Sequence, residues 1–225
     1  MLRRTAWIFC LLVLVALVPP RPAVAETLPR SLATELSSGV AAAGTDEEIQ
    51  TLTVLEHFYR ARDYRPLWVL ENSAGPRAQT LSDLRVAADL DGLDPGDYHA
   101  DQIAGLLSST SEEDLARLEA LLSLGLVRYA ADLGQGRIAP AVADPELFVF
   151  REEVKKANVL AAAATAVDMA AFIGGYRPQT VRYLRQKVAL AEYRAPPSQG
   201  GEHPIPPGCN QTPNIVDMRA RVCPP

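Results

Sequence analysis

The chain has 225 residues, with 22 Lys and Arg against 27 Asp and Glu, a net charge of −5 at neutral pH. That length suits one domain of ordinary size with its own core. The acidic balance argues against general nucleic-acid binding, which rests on neutralising phosphates with basic side chains.

Residues 1–25 follow the order of a secretory signal. Arg3 and Arg4 precede an apolar run over 6–18, Pro19 and Pro20 break it, and Ala23-Val24-Ala25 supplies the small residues signal peptidase accepts. Cleavage is expected before Glu26. The apolar run has 13 residues, against the roughly 20 that a spanning helix needs, so no stable membrane anchor is expected. Cys10 lies inside that run, away from the position a lipid-bearing cysteine would occupy. Loss of Arg3, Arg4 and Arg21 leaves 19 basic residues against 27 acidic ones, a net charge of −8. Two cysteines then remain, Cys209 and Cys223, and in an oxidising compartment they read as one disulfide closing a short terminal loop. Their spacing fits no zinc or redox pattern, and His57, His99 and His203 are scattered, so neither a metal site nor a cofactor is expected.

Residues 26–45 are small and polar and read as a flexible lead or a weak helix. Thr45 begins a clear helix as its N-cap, with Glu48 placed to complete a capping box and Asp46 and Glu47 favouring the positive helix end. Leu52, Leu55, Phe58 and Tyr59 give it a buried face, and Pro66 ends it by disfavouring helical geometry at Arg65. Leu67-Trp68-Val69-Leu70 is either a brief strand or an extended segment across helices. A second helix is predicted over 76–90, with Pro76 in its first turn and Leu81, Leu84 and Ala88 as its stripe. Gly92 suits a left-handed cap, and Pro95 starts the next turn. A short helix over 101–107 follows. The longest helix then starts at Ser111, with Asp114 at the reciprocal capping position and Leu115, Leu118, Leu122 and Tyr129 on one face. A polar helical segment near 145–156, an Ala-rich stretch over 157–173 and a last helix over 179–193, with Val181, Leu184, Val188 and Ala191 inward, complete the body. No strand alternation of useful length occurs, so the fold class is all-α. From Ala195 the chain turns Pro-rich and reads as a flexible linker.

No catalytic constellation is complete. The sequence has no phosphate-cradling Gly loop, no nucleophile elbow and no zinc-spaced His-Glu pair. Asp46-Glu47-Glu48 and Glu112-Glu113-Asp114 stand in first helical turns, where the helix dipole accounts for them. His57 and His99 read as partly buried structural histidines. Cys209, in a Pro-rich tail with only His203 nearby, lacks the neighbours that would favour its thiolate.

Four segments in order carry a resemblance. They are Phe58-Tyr59-Arg60-Ala61-Arg62-Asp63-Tyr64-Arg65-Pro66-Leu67-Trp68, then Ala87-Ala88-Asp89-Leu90-Asp91-Gly92-Leu93-Asp94-Pro95-Gly96-Asp97-Tyr98-His99. The third is Tyr129-Ala130-Ala131-Asp132-Leu133-Gly134-Gln135-Gly136-Arg137-Ile138-Ala139-Pro140, and the fourth is Tyr176-Arg177-Pro178-Gln179-Thr180 with Tyr183 and Leu184. Together they resemble the N-terminal helical scaffold domain of the large Gram-negative L,D-transpeptidases, periplasmic enzymes that cross-link peptidoglycan stem peptides. On the residues alone, Phe58, Tyr59, Trp68 and Tyr129 are core aromatics, and Arg62, Asp63 and Arg137 are candidates for paired charges at helix ends.

To the signal over 1–25 and the lead over 26–45 read from the residues, the resemblance adds a scaffold domain over 46–194 and, over 195–225, a linker or the truncated start of a peptidoglycan-binding region. The family's Ser-His-Gly-Cys element is absent, since no His here precedes a Gly. No catalytic residue is therefore carried over, and a non-catalytic scaffold tied to cell-wall cross-linking is expected in the periplasm. The expected partner is a full-length transpeptidase or another cell-wall protein. The alternative is an independent adaptor that binds such a protein. The last helix region carries Arg177, Arg182, Arg185, Lys187 and Arg194 against Glu192, and is either a solvated face or a docking surface for an acidic partner.

Overall fold

Residues 27–42, expected as a flexible lead or weak helix, form the first helix of the packed body, α1 (Thr27–Ala42). The computed structural model describes residues 27–138, 142, 146 and 152–194. Leu28, Leu32 and Leu36 of α1 recur every fourth residue and are buried, packed against the second helix and the long central one. The composition hid this helix. Its outer face is Ser and Thr, residues that often compete with helix, yet here Thr34, Ser37 and Ser38 donate back to carbonyls three or four residues earlier. Tertiary burial of one leucine stripe then supplies what propensity does not.

Helix α2 (Asp46–Arg60) starts at the predicted cap. The Glu48 N–H donates to Thr45 Oγ1 at 3.2 Å, while the Glu48 carboxylate reaches back one residue further than a standard box, to the Gly44 N–H at 3.2 Å. Past its end, Asp63 and Tyr64 take positive φ and the Tyr64 N–H returns to the Tyr59 carbonyl. The apolar run at 67–70 resolves into β1 (Val69–Leu70), paired antiparallel with β2 (Ser73–Ala74) in the register Val69 to Ala74 and Leu70 to Ser73. Glu71 and Asn72 at the tip both have positive φ, as a two-residue type I′ hairpin requires.

Helix α3 (Pro76–Val86) is shorter than predicted. Its continuation tightens into a 3-10 turn, Ala87–Asp91, closed by Gly92 in the left-handed region. A second 3-10 turn, Pro95–Tyr98, leads into α4 (Ala100–Leu106). Helix α5 (Glu112–Gln135) is buried on almost all sides, as a helix at the centre of a fold must be. Its predicted cap differs in detail: Ser111 makes no side-chain cap bond, and Asp114 instead accepts from the Ser109 hydroxyl at 2.7 Å.

Half of the predicted polar helix near 145–156 lies outside the described residues, and the described stretch 152–155 is not helical: regular helix begins only at Lys156, with Lys155 as its extended N-cap. The Ala-rich stretch, read as one element, is two: α6 (Lys156–Thr165) and α7 (Met169–Gly174). Asp168 separates them by capping the second, its Oδ1 accepting from the Ala170 and Ala171 N–H groups at 2.8 and 3.0 Å. Helix α8 (Val181–Arg194) closes the described chain. The fold is thus all-α with one very small hairpin. Among the described residues no helix is long and apolar enough to cross a membrane.

Two buried charges tie the layers around α5. Glu119 is fully buried and accepts from the Tyr59 hydroxyl at 2.6 Å and from the backbone N–H groups of Leu67, Trp68 and Val69. Arg85, also fully buried, has only carbonyl partners among the described residues: Leu81 at 3.3 Å, Tyr98 at 3.0 Å and Leu121 at 3.4 Å. Burial pushes its guanidinium down to about 9. Room for it comes from Gly125 on α5, where a Cβ would collide with Arg85 Nη1 and lie 2.8 Å from the Tyr98 carbonyl oxygen.

Candidate interaction surface

The histidines and acidic runs raised by the sequence do not converge on one site. His57 is exposed, contrary to the partly buried position expected of it, because it falls on the outer side of α2. His99 is half-buried at positive φ, where it caps α4. Desolvation, followed by the nearby Arg128 and Arg85 charges, holds its imidazole below its ordinary proton affinity. Glu48 pairs with Arg128 at 3.3 Å and Glu47 with Lys156 at 3.6 Å. Arg137 pairs with Asp97, while Arg62 lies over the Phe58 ring rather than against a carboxylate. Among the described residues no group of three or more His, Cys, Asp or Glu side chains is placed to hold a metal. Cys209 and Cys223 lie outside the described residues.

What the structure does bring together is a polar clasp that sequence reading passed over. Asp91, predicted only as part of a turn, has a side chain just 1% exposed. Its Oδ2 accepts from Arg177 Nε at 2.8 Å and the Tyr129 hydroxyl at 3.2 Å, and its Oδ1 from the Tyr183 hydroxyl at 2.7 Å and Lys187 Nζ at 2.5 Å. Arg177 Nη2 also donates to the Tyr129 hydroxyl at 3.2 Å. Burial works to raise the Asp91 carboxyl, but donation from Lys187, Arg177 and Tyr183 outweighs it and holds the group below its ordinary value. Burial next to this carboxylate pushes the Tyr129 phenol up to about 12. Asp91, Tyr129, Arg177 and Tyr183 come from the second, third and fourth of the resembling segments. A second bond of the same kind joins two of them, from the Tyr98 hydroxyl to Asp132 at 2.7 Å. The motifs are thus joints between helices.

A family model described as a scaffold domain matches residues 53–190. The chain belongs to the scaffold-domain family. All four resembling segments fall inside the matched stretch, which bears out the likeness to the scaffold domain of L,D-transpeptidases. No curated protein and no solved structure matches the chain.

In this scaffold domain α8 is the element whose orientation the sequence misjudged. Val181, Leu184 and Val188 were expected inward, yet they are 64%, 49% and 59% exposed, and Ala191 is exposed as well. The opposite face of the helix meets the body, through Tyr183 and Lys187 on Asp91, Arg194 on the Asp89 carbonyl, and Leu190 beside Gly92. Periodicity correctly found an apolar stripe, but the stripe does not face the core. The buried carboxylate of Asp91 outcompetes three aliphatic side chains for the inner face, because an orphaned buried charge costs more than their exposure.

Asp91→Asn tests the clasp. Asn preserves the shape and removes the charge that holds Lys187 and Arg177, so a loss of roughly 2 kcal/mol is expected, on the scale of a charged hydrogen bond. Amide exchange should rise in α8 while α5 stays protected. Because the folded-state carboxyl lies below 3.8, the wild-type contribution is full above 3.8 and is lost as pH falls through the folded value. The variant should lack that acid limb.

Proposed function

We propose that this chain is a non-catalytic, periplasmic scaffold domain that serves peptidoglycan cross-linking and cell-wall biogenesis. The observation that carries the reading is the scaffold-domain match over 53–190, together with the use of the resembling motifs as interhelical joints around Asp91 and Asp132. The signal-like residues 1–25 support export, and the stripe of α8, exposed among the described residues, favours the adaptor form of this role, in which the domain binds a separate transpeptidase.

Two measurements test it. Osmotic-shock fractionation should place the processed chain in the periplasmic fraction. The purified chain, incubated with tetrapeptide stems, should give no cross-linked product, and intact mass after carbapenem treatment should be unchanged. A covalent adduct at Cys209 would refute the non-catalytic reading. Copurification of a full-length transpeptidase with the tagged chain would select the adaptor form.

A further inference from the structure

The outward face of α8 has the geometry of a helix-docking surface. A shallow hollow of about 330 Å³ runs along it, lined by Val181, Leu184, Arg185, Val188, Ala189 and Glu192. These six residues are two consecutive diamonds of the i, i+3, i+4, i+7 kind: Val181, Leu184, Arg185 and Val188, then Arg185, Val188, Ala189 and Glu192. Each diamond is the hole that receives one side-chain knob when a second helix packs alongside. Val181, Leu184, Val188 and Ala191 also keep the 3-4-3 spacing of a coiled-coil seam.

Charge narrows the occupant. Arg177, Lys187 and Arg194 are engaged with Asp91 and Asp89, whereas Arg182 and Arg185 make none of these pairings: Arg185 lines the hollow, and Arg182, exposed three residues before it, lies beside it on the helix. Glu192 is the one acid on the α8 face. The edge is therefore net basic on a chain that is net acidic.

We infer that α8 docks an amphipathic helix of a partner protein whose apolar stripe is edged with carboxylates opposite Arg182 and Arg185. A second copy of this chain fits less well, since it would bring two net-basic α8 edges together and two net-acidic bodies close. An anionic membrane surface would be repelled by the acidic body.

The inference rests on the scaffold reading for its biological setting, but its test needs neither the periplasm nor a cell wall, so either can fail alone. The full processed chain is titrated with a synthetic helical peptide carrying Leu at heptad seam positions and Glu along both edges, and with the same peptide carrying Lys in place of Glu. The Glu-edged peptide should bind at least about tenfold more tightly, with the gap closing as salt rises. Arg182→Gln with Arg185→Gln should level the two peptides. Leu184→Ser with Val188→Ser should abolish binding with an unchanged thermal melt, because these side chains are already exposed. Equal affinity for the two peptides, or binding that survives the serine variant, would overturn the proposal. So would a dimer seen by light scattering that the serine variant dissolves, or cosedimentation with phosphatidylglycerol vesicles in place of peptide binding.

Discussion

Glu119→Ala is expected to cost about 3–6 kcal/mol, a large share of the 5–15 kcal/mol that holds a typical domain together. The carboxylate is fully buried and makes no ion pair among the described residues. Its charge is met by the Tyr59 hydroxyl and by three successive backbone N–H groups, at Leu67, Trp68 and Val69. Alanine would leave those three amides facing an apolar cavity, and each orphaned buried donor costs about 1–3 kcal/mol. The Tyr59 hydroxyl retains Ser123 at 2.6 Å, so it adds little. Urea unfolding should register the loss, and a change below about 1 kcal/mol would mean that water replaces the carboxylate. Burial, the largest influence, raises the Glu119 carboxyl above 4.5 despite its four donors. The folded state therefore takes up this proton before the unfolded chain does. Ionisation then lowers stability as pH rises from 4.5 through the folded value, and that cost is fully present above it. Glu119→Gln removes this slope, so wild type and variant should diverge in urea midpoint from acid toward neutral pH. The sign is opposite to that of Asp91.

Periodicity and end signals made the helical class, the Thr45 cap and the turn at Gly92 legible, because these are local physics. Three kinds of feature were not. Helix α1 looks weak by composition and is fixed by burial of Leu28, Leu32 and Leu36 against elements distant in sequence. The break at Asp168 is a side-chain cap inside an Ala-rich run that contains no Gly or Pro to mark it. The orientation of α8 follows from Asp91, about 90 residues upstream, and amphipathic spacing alone does not say whether a stripe faces a core or a partner. The clasp residues did carry a signal. Tyr129, Arg177 and Tyr183 all stood in segments singled out by resemblance, and a Tyr or Arg recurring in such motifs implies an acidic acceptor, for which Asp91 was available in the same set.

Buried charges, rather than a conventional aliphatic interior alone, set the geometry around α5. Glu119 holds the hairpin and Arg85 holds the 3-10 turn at Tyr98, both through backbone groups or hydroxyls, while Asp91 holds α8 through two cations and two tyrosine hydroxyls. Such groups add less net stability than apolar residues of equal volume, but they restrict the partners each element can accept. Under the scaffold role proposed above, a fixed orientation of α8 matters more than raw stability.

Trp68→Ala should cost about 3–5 kcal/mol, the range for truncating a fully buried aromatic. Trp68 has no exposed surface. Its ring lies 5.2 Å from the Arg77 guanidinium carbon, its indole N–H donates to Ser123 Oγ at 2.8 Å, and its backbone N–H donates to Glu119 at 3.0 Å. Trp68→Phe separates these contributions, keeping most of the buried ring and losing the indole bond, so about 1–2 kcal/mol of the total should appear there. The cavity left by alanine would also loosen the hairpin that Glu119 caps. Trp68→Ala and Glu119→Ala should therefore be non-additive, the double variant losing at least about 1 kcal/mol less than the sum of the two. Additive losses would mean that the hairpin keeps its position on α5 without the indole, leaving Glu119 alone as its anchor.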